Sequence, residues 1–329
     1  MTPLERALVE AIRTDGPISV EAYMSACNAH YYATRDPLGA HGDFTTAPEI
    51  SQMYGEMIGA ALADAWARAG KPEGVRYAEL GPGRGTLASD ALRVMRSTGC
   101  EPASVEFVET SPVLRETQGA AISGAVFHGD IGGLAAGTGP LLVVASEFFD
   151  ALPIQQWVAG IERRVEWIGG HLCFDRDGAI IERAPAREAA VAQLASMLVA
   201  KGGIAILVDY GHGSEGAEGD TLQAVARHRG ALPLEKPGEQ DLTAHVDFAA
   251  LARAATNAGA QASRLASQGS WLETLGIGAR AVTLAARNPA HCEEVAAARR
   301  RLCAEEEMGT LFKVMALAAP GWPIPAGLE

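Results

Sequence analysis

Apolar residues in the first seventy positions recur mostly at helical spacing. Leu4, Leu8 and Ile12 stand at i, i+4 and i+8 and predict an amphipathic helix over 2–15. Asp15-Gly16-Pro17 ends it. Ser19 is placed to cap a second helix, "VEAYMSACNAHYY". The segment "ATRDPLGAHGDFTTAPEI" reads as a long polar loop. A third helix, "EISQMYGEMIGAALADAWARAG", brings Ile50, Met53, Met57 and Leu62 near one face.

From Val75 the texture changes. Short apolar runs ("RYAEL", "SVEFVET", "AVFHGD", "LLVVASEF" and "GIAILVDYG") alternate with the helical stretches "TLASDALRVMRS", "PVLRETQGAAI" and "REAAVAQLASMLVA". This alternation predicts an α/β fold with a parallel sheet covered on both faces. Residues 155–182 alternate and turn at Gly169-Gly170, suggesting an inserted hairpin. Residues 212–245 are polar and turn-rich and read as one long loop, a feature that in a compact domain is usually functional or disordered. A helix, "VDFAALARAATNAG", a short strand in "ASRLASQG", more helix and a closing strand, "GTLFKVMALAA", complete the chain. Two regions are expected: a helical cap with a lid loop over 1–70, and a main domain over 71–329 with insertions near 155–182 and 212–260.

Charge narrows the partners. Acidic residues outnumber Lys and Arg by 40 to 27 and give a net charge of −13, which argues against nucleic acid and anionic lipid as partners. The five cysteines form no CxxC pair, and no metal-ligand spacing occurs among the eight histidines. No run of about 18 apolar residues predicts a membrane span. "MTPLERALVEAIRTDGPISV" carries Glu5, Glu10 and Asp15 and lacks a basic stretch before an apolar one. The expectation is a cytoplasmic protein with no targeting segment and no membrane insertion.

The chemistry concentrates at "VRYAELGPGRGTLASDALRVM". A strand running into a glycine-rich turn and a helix start is a ligand-binding device. Gly81, Gly83 and Gly85 allow positive φ and close approach, and the helix start offers free N–H groups. The Walker A ending is absent, and the spacing is GxGxG rather than GxGxxG. Glu79 at the strand tip would repel a pyrophosphate but suits an ammonium, such as that of S-adenosylmethionine. Glu109 ends the second strand, where it can accept from ribose hydroxyls, and Asp130 ends the third, near an adenine amino group. A nicotinamide oxidoreductase would also want an acid on the ribose, so Glu109 alone does not discriminate; Glu79 with the glycine spacing does.

With these motifs the chain resembles the MidA-type class I methyltransferases, whose mitochondrial members are protein-arginine methyltransferases of respiratory complex I assembly. The resemblance rests on "GDFTTAPEISQMYGEMIG", "ELGPGRGTL", "ETSPVLRETQ", "SEFFDALPIQQW", "VDYGH", "GDTLQAV", "PGEQDLTAHVDF" and "MGTLFKVMAL". It implies a Rossmann-like seven-stranded sheet with a reversed last strand, S-adenosylmethionine as cofactor, and a protein substrate, possibly a complex I subunit. Cofactor contacts are then expected from Glu79, Gly81, Pro82, Gly83, Gly85, Glu109, Asp130 and Ile131. Where the family usually has Asn before Glu-Phe-Phe-Asp, this chain has Ser146.

The fourth apolar run ends in Glu147 and Asp150, at the sheet end that faces the transferred methyl in this fold. A guanidinium pairs bidentately with carboxylates, so Glu147 and Asp150 are the expected catalytic clamp. Asp150 as a helix cap or turn residue is the alternative, and Phe148 and Phe149 are expected in the core. Thr45 and Thr46 lie on the candidate lid, or cap the loop. Asp209, Tyr210 and His212 follow at the fifth strand's end, near the pocket mouth. A His245–Asp247 base is conceivable, although a helix N-cap suits Asp247 better. A small-molecule methyltransferase and an assembly chaperone that binds the cofactor without catalysis remain open as alternatives.

Overall fold

Five of the apolar runs become the parallel core of one sheet in the computed structural model, which describes residues 1–34, 39, 42–43, 45–214 and 219–329. In chain order the main strands are β1 (Arg76–Leu80), β2 (Ser104–Val108), β3 (Val126–His128), β4 (Leu141–Ser146), β5 (Gly203–His212), β6 (Gln261–Ala262) and β7 (Phe312–Ala318). They lie in the order β6-β7-β5-β4-β1-β2-β3. Strands β3, β2, β1, β4 and β5 pair in parallel, and β7 runs antiparallel to both β5 and β6. The seven-strand order with a reversed last strand is therefore present. Two short additions extend the sheet: Val246–Asp247 along the end of β5 and Ala266–Ser267 beside β7.

Residues Leu141 to Ala145 are fully buried because helices cover both faces of the parallel sheet. One face packs on the helices Gln52–Arg68, Thr86–Ser97 and Gln268–Thr274, which contribute Ile58, Leu92 and Trp271. The other packs on Pro185–Lys201 and Phe248–Asn257, with Leu194, Leu198 and Leu251. The helix Gln52–Arg68 thus belongs to the main body, not to the N-terminal cap expected over 1–70. It presses onto Thr86–Ser97 so closely that a Cβ at Gly59 would lie 2.5 Å from the Ala91 carbonyl oxygen.

A third apolar cluster makes the cap. Val9, Tyr23 and Met24 from the first two helices pack with Val165 and Leu172 of one insertion and Leu222 and Leu242 of the other. The 155–182 insertion is more than a hairpin. Gln155–Val158, Ile161–Glu162 and Ile180–Arg183 form one small sheet, and Arg164–Ile168 with His171–Phe174 form another, joined by Ile18–Ser19.

The segment read as a long loop over 212–245 holds a further three-stranded sheet, Gln223–Ala226, Arg229–Ala231 and Asp241–Thr243. Its turn residues Arg227 and His228 take φ of 52° and 59° without Gly or Asn, so the usual hairpin mark is missing from the sequence. Among the described residues no helix is long and apolar enough to cross a membrane.

Candidate active site

The carboxyl ends of β1, β2, β4 and β5 open toward the cap, and a cavity of about 910 Å³ fills the space between them. Ligands of open α/β sheets bind at this end. Its walls include Glu79, Gly81, Pro82, Gly83, Glu109, Asp130 and Ile131 on one side, and Thr45, Thr46, Glu147, Asp150 and Tyr210 on the other. Most of the expected site residues are therefore brought together. Gly85, Asp209 and His212 are not on the wall.

Glu79 sits on β1 two residues after Tyr77, so both side chains share one face of the strand. The Tyr77 hydroxyl donates to Glu79 Oε2 at 2.7 Å. The carboxyl is 3% exposed, no cation among the described residues pairs with it, and burial pushes its pKa up to about 8. An ammonium entering here would meet an acid already aimed and desolvated. The next residues are Gly81, Gly83 and Gly85, at φ of 63°, 56° and 80°. A Cβ at Gly81 would stand 3.1 Å from the Phe148 ring. Gly85 serves the scaffold instead. It precedes the helix Thr86–Ser97 in the left-handed conformation and abuts Ala121 of the next helix.

Glu109 is buried beyond β2, and burial raises its pKa. Its two oxygens accept from the Ser111 N–H at 2.7 Å and the Gln118 side-chain amide at 3.1 Å. A carboxylate has about four acceptor sites, so capacity remains for ribose hydroxyls. Asp130 lies at the exposed rim, two residues past β3. It caps the short 3₁₀ helix Ile131–Ala136 through the Gly133 N–H. These residues fit the adenosyl cofactor: a buried anion for its ammonium, spare carboxylate lone pairs for its ribose, and bare glycine backbone between them.

At the other end of the cavity β4 stops at Ser146, whose hydroxyl pairs with the Tyr54 hydroxyl at 2.9 Å. Serine is short, and the buried tyrosine reaches it from the helix Gln52–Arg68. Glu147 follows at φ 55°, a left-handed conformation that costs a non-glycine residue on the order of 1–3 kcal/mol. Its N–H donates to Val208, and its Oε1 accepts from the Ala47 N–H at 3.0 Å. Burial, with Asp150 and Asp241 nearby, raises its pKa to about 8.

Asp150 is buried and its Oδ1 has no partner among the described residues. Burial raises its pKa, and the Tyr210 hydroxyl lies against it. Asp150 is a turn residue but not a helix cap. The cap role falls to Asp247, which accepts from the Ala250 N–H at 3.0 Å.

Asp209 acts from behind. Its carboxylate accepts the Phe149 and Asp150 N–H groups at 3.0 and 3.1 Å, as well as its own successor's N–H. It fixes the turn that carries Glu147 and Asp150. Phe149 is core, as expected, whereas Phe148 borders the cavity. Thr46 precedes the short helix Ala47–Ile50 without a side-chain capping bond. His212 lies along Asp247 in the sheet register. His41 and Phe44 of the candidate lid fall outside the described residues.

Arg187 completes the scaffold. Fully buried, it donates to the carbonyls of Asp150, Leu152, Ala244 and His245, tying the catalytic turn to the cap. Replacing it by methionine keeps the stem but strips these acceptors of their donors. The expected loss is about 3 kcal/mol or more, read as the shift in urea unfolding midpoint at constant slope.

Sequence reasoning missed Asp241, Tyr32 and Asn28 on the cavity wall. Asp241 sits in "PGEQDLTAHVDF", a stretch that carries the family resemblance but suggests no role for this acid. Burial and Asp150 push its pKa up to about 7, and the Tyr32 hydroxyl donates to it at 2.6 Å.

Comparison with known proteins agrees with this geometry. Residues 57–172 and 160–266 match the model of a family described as "Putative S-adenosyl-L-methionine-dependent methyltransferase". The chain is 32% identical to the Drosophila melanogaster "Protein arginine methyltransferase NDUFAF7 homolog, mitochondrial", over 95% of this chain and 84% of that one. It is also 32% identical to the Danio rerio "Protein arginine methyltransferase NDUFAF7, mitochondrial", over 93% and 84%. A solved structure from Burkholderia thailandensis, described as a "likely methyl transferase" bound to S-adenosyl-homocysteine, superposes with a TM-score of 0.84. It shares 27% identity and aligns over 98% of this chain and 93% of its own.

Proposed function

The chain belongs to this family of S-adenosyl-L-methionine-dependent methyltransferases, and from that premise we propose that it methylates the guanidinium of arginine in a protein substrate. One observation carries the reading: the acceptor end of the cavity is walled by the buried carboxyls of Asp150 and Asp241 and the half-buried Glu147, with no Lys or Arg between them among the described residues. Among the described wall residues Arg84 is the only Lys or Arg, and it belongs to the glycine loop. Such a wall disfavours anionic acceptors and suits a cation with several N–H donors, whose charge favours ionisation of the acids. The names of the relatives point the same way, and a subunit of respiratory complex I is the first acceptor to try.

When bound, the cofactor supplies a methyl group on a sulfonium, an activated donor. The protein must hold one arginine nitrogen in line with it, and alignment of this kind can lower a barrier by on the order of 7–11 kcal/mol. Glu147 Oε1 is fixed by the Ala47 N–H, which leaves Oε2 to receive a guanidinium N–H. Asp150 Oδ1 offers a second acceptor beside it. Glu147 gives up its proton to solvent when the guanidinium cation binds beside it, and the proton later lost from the methylated nitrogen passes to the ionised Oε2. A carboxyl whose pKa is raised toward neutrality is a competent base for that step. Thr45, Thr46, Gln223 and Val225 line the same cavity.

The decisive measurement is transfer of labelled methyl from S-adenosylmethionine to proteins of the host extract, followed by acid hydrolysis and amino-acid analysis. Label is expected in methylated arginine. Label confined to small molecules would favour the metabolite alternative and overturn this reading.

Cofactor affinity should depend on pH with a fixed sign. Glu79 is protonated in the empty site below about pH 8 and must ionise to meet an ammonium. Affinity for S-adenosyl-homocysteine therefore rises about tenfold per pH unit between about pH 5 and 7, then levels near 8. Calorimetry across this range checks it, and Glu79→Gln should flatten the profile.

A further inference from the structure

We propose that Asp241, presented by the cap rather than by the methyltransferase sheet, is a substrate-specificity residue that grips the acceptor guanidinium from the side opposite Glu147. This deepens the arginine reading and rests on it.

Asp241 opens the strand Asp241–Thr243 and pairs with Val225 in the cap sheet. Its Oδ1 takes the Tyr32 hydroxyl, and its Oδ2 has no partner among the described residues. The residue is 5% exposed, yet it stands on the cavity wall. An acid this deep, without a cation, is costly to ionise unless a ligand brings the charge.

Its position relative to Asp150 is built, not incidental. The Asn28 side-chain amide donates to the carbonyls of Ala151 and Leu242, each at 2.8 Å, and these residues directly follow the two acids in sequence. Asn28 Oδ1 accepts the Leu242 N–H in return. The Ala244 N–H donates to the Asp150 carbonyl at 3.1 Å. One buried asparagine thus clamps the catalytic turn to the cap strand and fixes the two stretches of backbone that carry the acids. An arginine guanidinium carries five N–H donors, and Glu147 Oε2 with Asp150 Oδ1 leaves several of them without an acceptor. The cap supplies a further one. A single-sided clamp would hold a primary ammonium as readily; acids from both sides select the planar cation.

The test uses protein loaded with S-adenosyl-homocysteine, titrated with Nα-acetyl-arginine methylamide and its neutral counterpart, Nα-acetyl-citrulline methylamide. Wild type should bind only the arginine compound. Asp241→Asn should weaken that binding at least tenfold, and Tyr32→Phe about threefold, with S-adenosyl-homocysteine affinity within twofold of wild type in both. The retained cofactor affinity reports folding, and Tyr32→Phe serves if Asp241→Asn does not fold. If Asp241→Asn, or Tyr32→Phe in its place, binds the arginine compound as wild type does while Glu147→Gln loses it, the specificity role of Asp241 is refuted and the arginine reading stands. If wild type binds both compounds or neither, the arginine reading falls and this proposal with it.

Discussion

Glu147→Gln lowers kcat for arginine methylation by about 10²–10³ while changing S-adenosyl-homocysteine affinity less than twofold. The substitution keeps the shape and the bond to the Ala47 N–H, since the amide oxygen can take that position. It removes the negative charge and the proton acceptor. The amide also turns an N–H toward a guanidinium that has only N–H groups to offer, so pairing becomes repulsion. Stability should not fall. Burying a carboxyl with a pKa of about 8 among Asp150 and Asp241 is unfavourable in the empty site, and a neutral amide relieves it. A variant that folds, binds cofactor and retains more than a third of wild-type kcat would rule out Glu147 as the acceptor's base.

Gly81→Val abolishes cofactor binding, with at least a hundredfold loss by calorimetry. The residue is at φ 63°, where a β-branched side chain is strained, and its Cβ would press on the Phe148 ring at 3.1 Å. Relief requires the loop to move toward the cavity and off the tip of β1, which displaces Glu79 from its place beside the glycines. The strain itself should cost on the order of 1–3 kcal/mol. The fold should survive because, of the apolar residues on the sheet faces, the mutation meets only Phe148, at the edge of one cluster. Gly74→Ala is the control. It also has positive φ, 68°, but nothing lies within 4 Å of its Cβ and it is far from the cavity, so it should lose some stability without losing the cofactor.

Particular residues show what could be read early. Glu79 and the three glycines are contiguous, and their meaning is local: a strand tip, a turn and a helix start generate the site within a dozen residues. Glu109 and Glu147 are legible for the same reason, because a strand-end acid in a parallel sheet must face the ligand side. Asp209 was expected at the mouth but supports the turn from behind. Its neighbour Tyr210 points to the cavity, and alternation along a strand end could not say which of the two would do so once the strand lengthens to His212. Asp241 gave no signal because its strand is three residues long and its partners, Tyr32 and Asn28, are some two hundred positions away.

Sequence alone determined the alternation of strands and helices and the cofactor end of the cavity, which follow from periodicity and from short-range turn chemistry acting within a few residues of the chain; the reversed last strand was implied by the family resemblance. Only the tertiary structure decided the acceptor end. There, two insertions and the first two helices share one apolar cluster, and that packing carries Asn28, Tyr32 and Asp241 onto the acids of β4. Burial then sets the charge state of those acids. Burial is a property of the assembled neighbourhood, so no stretch of sequence contains it.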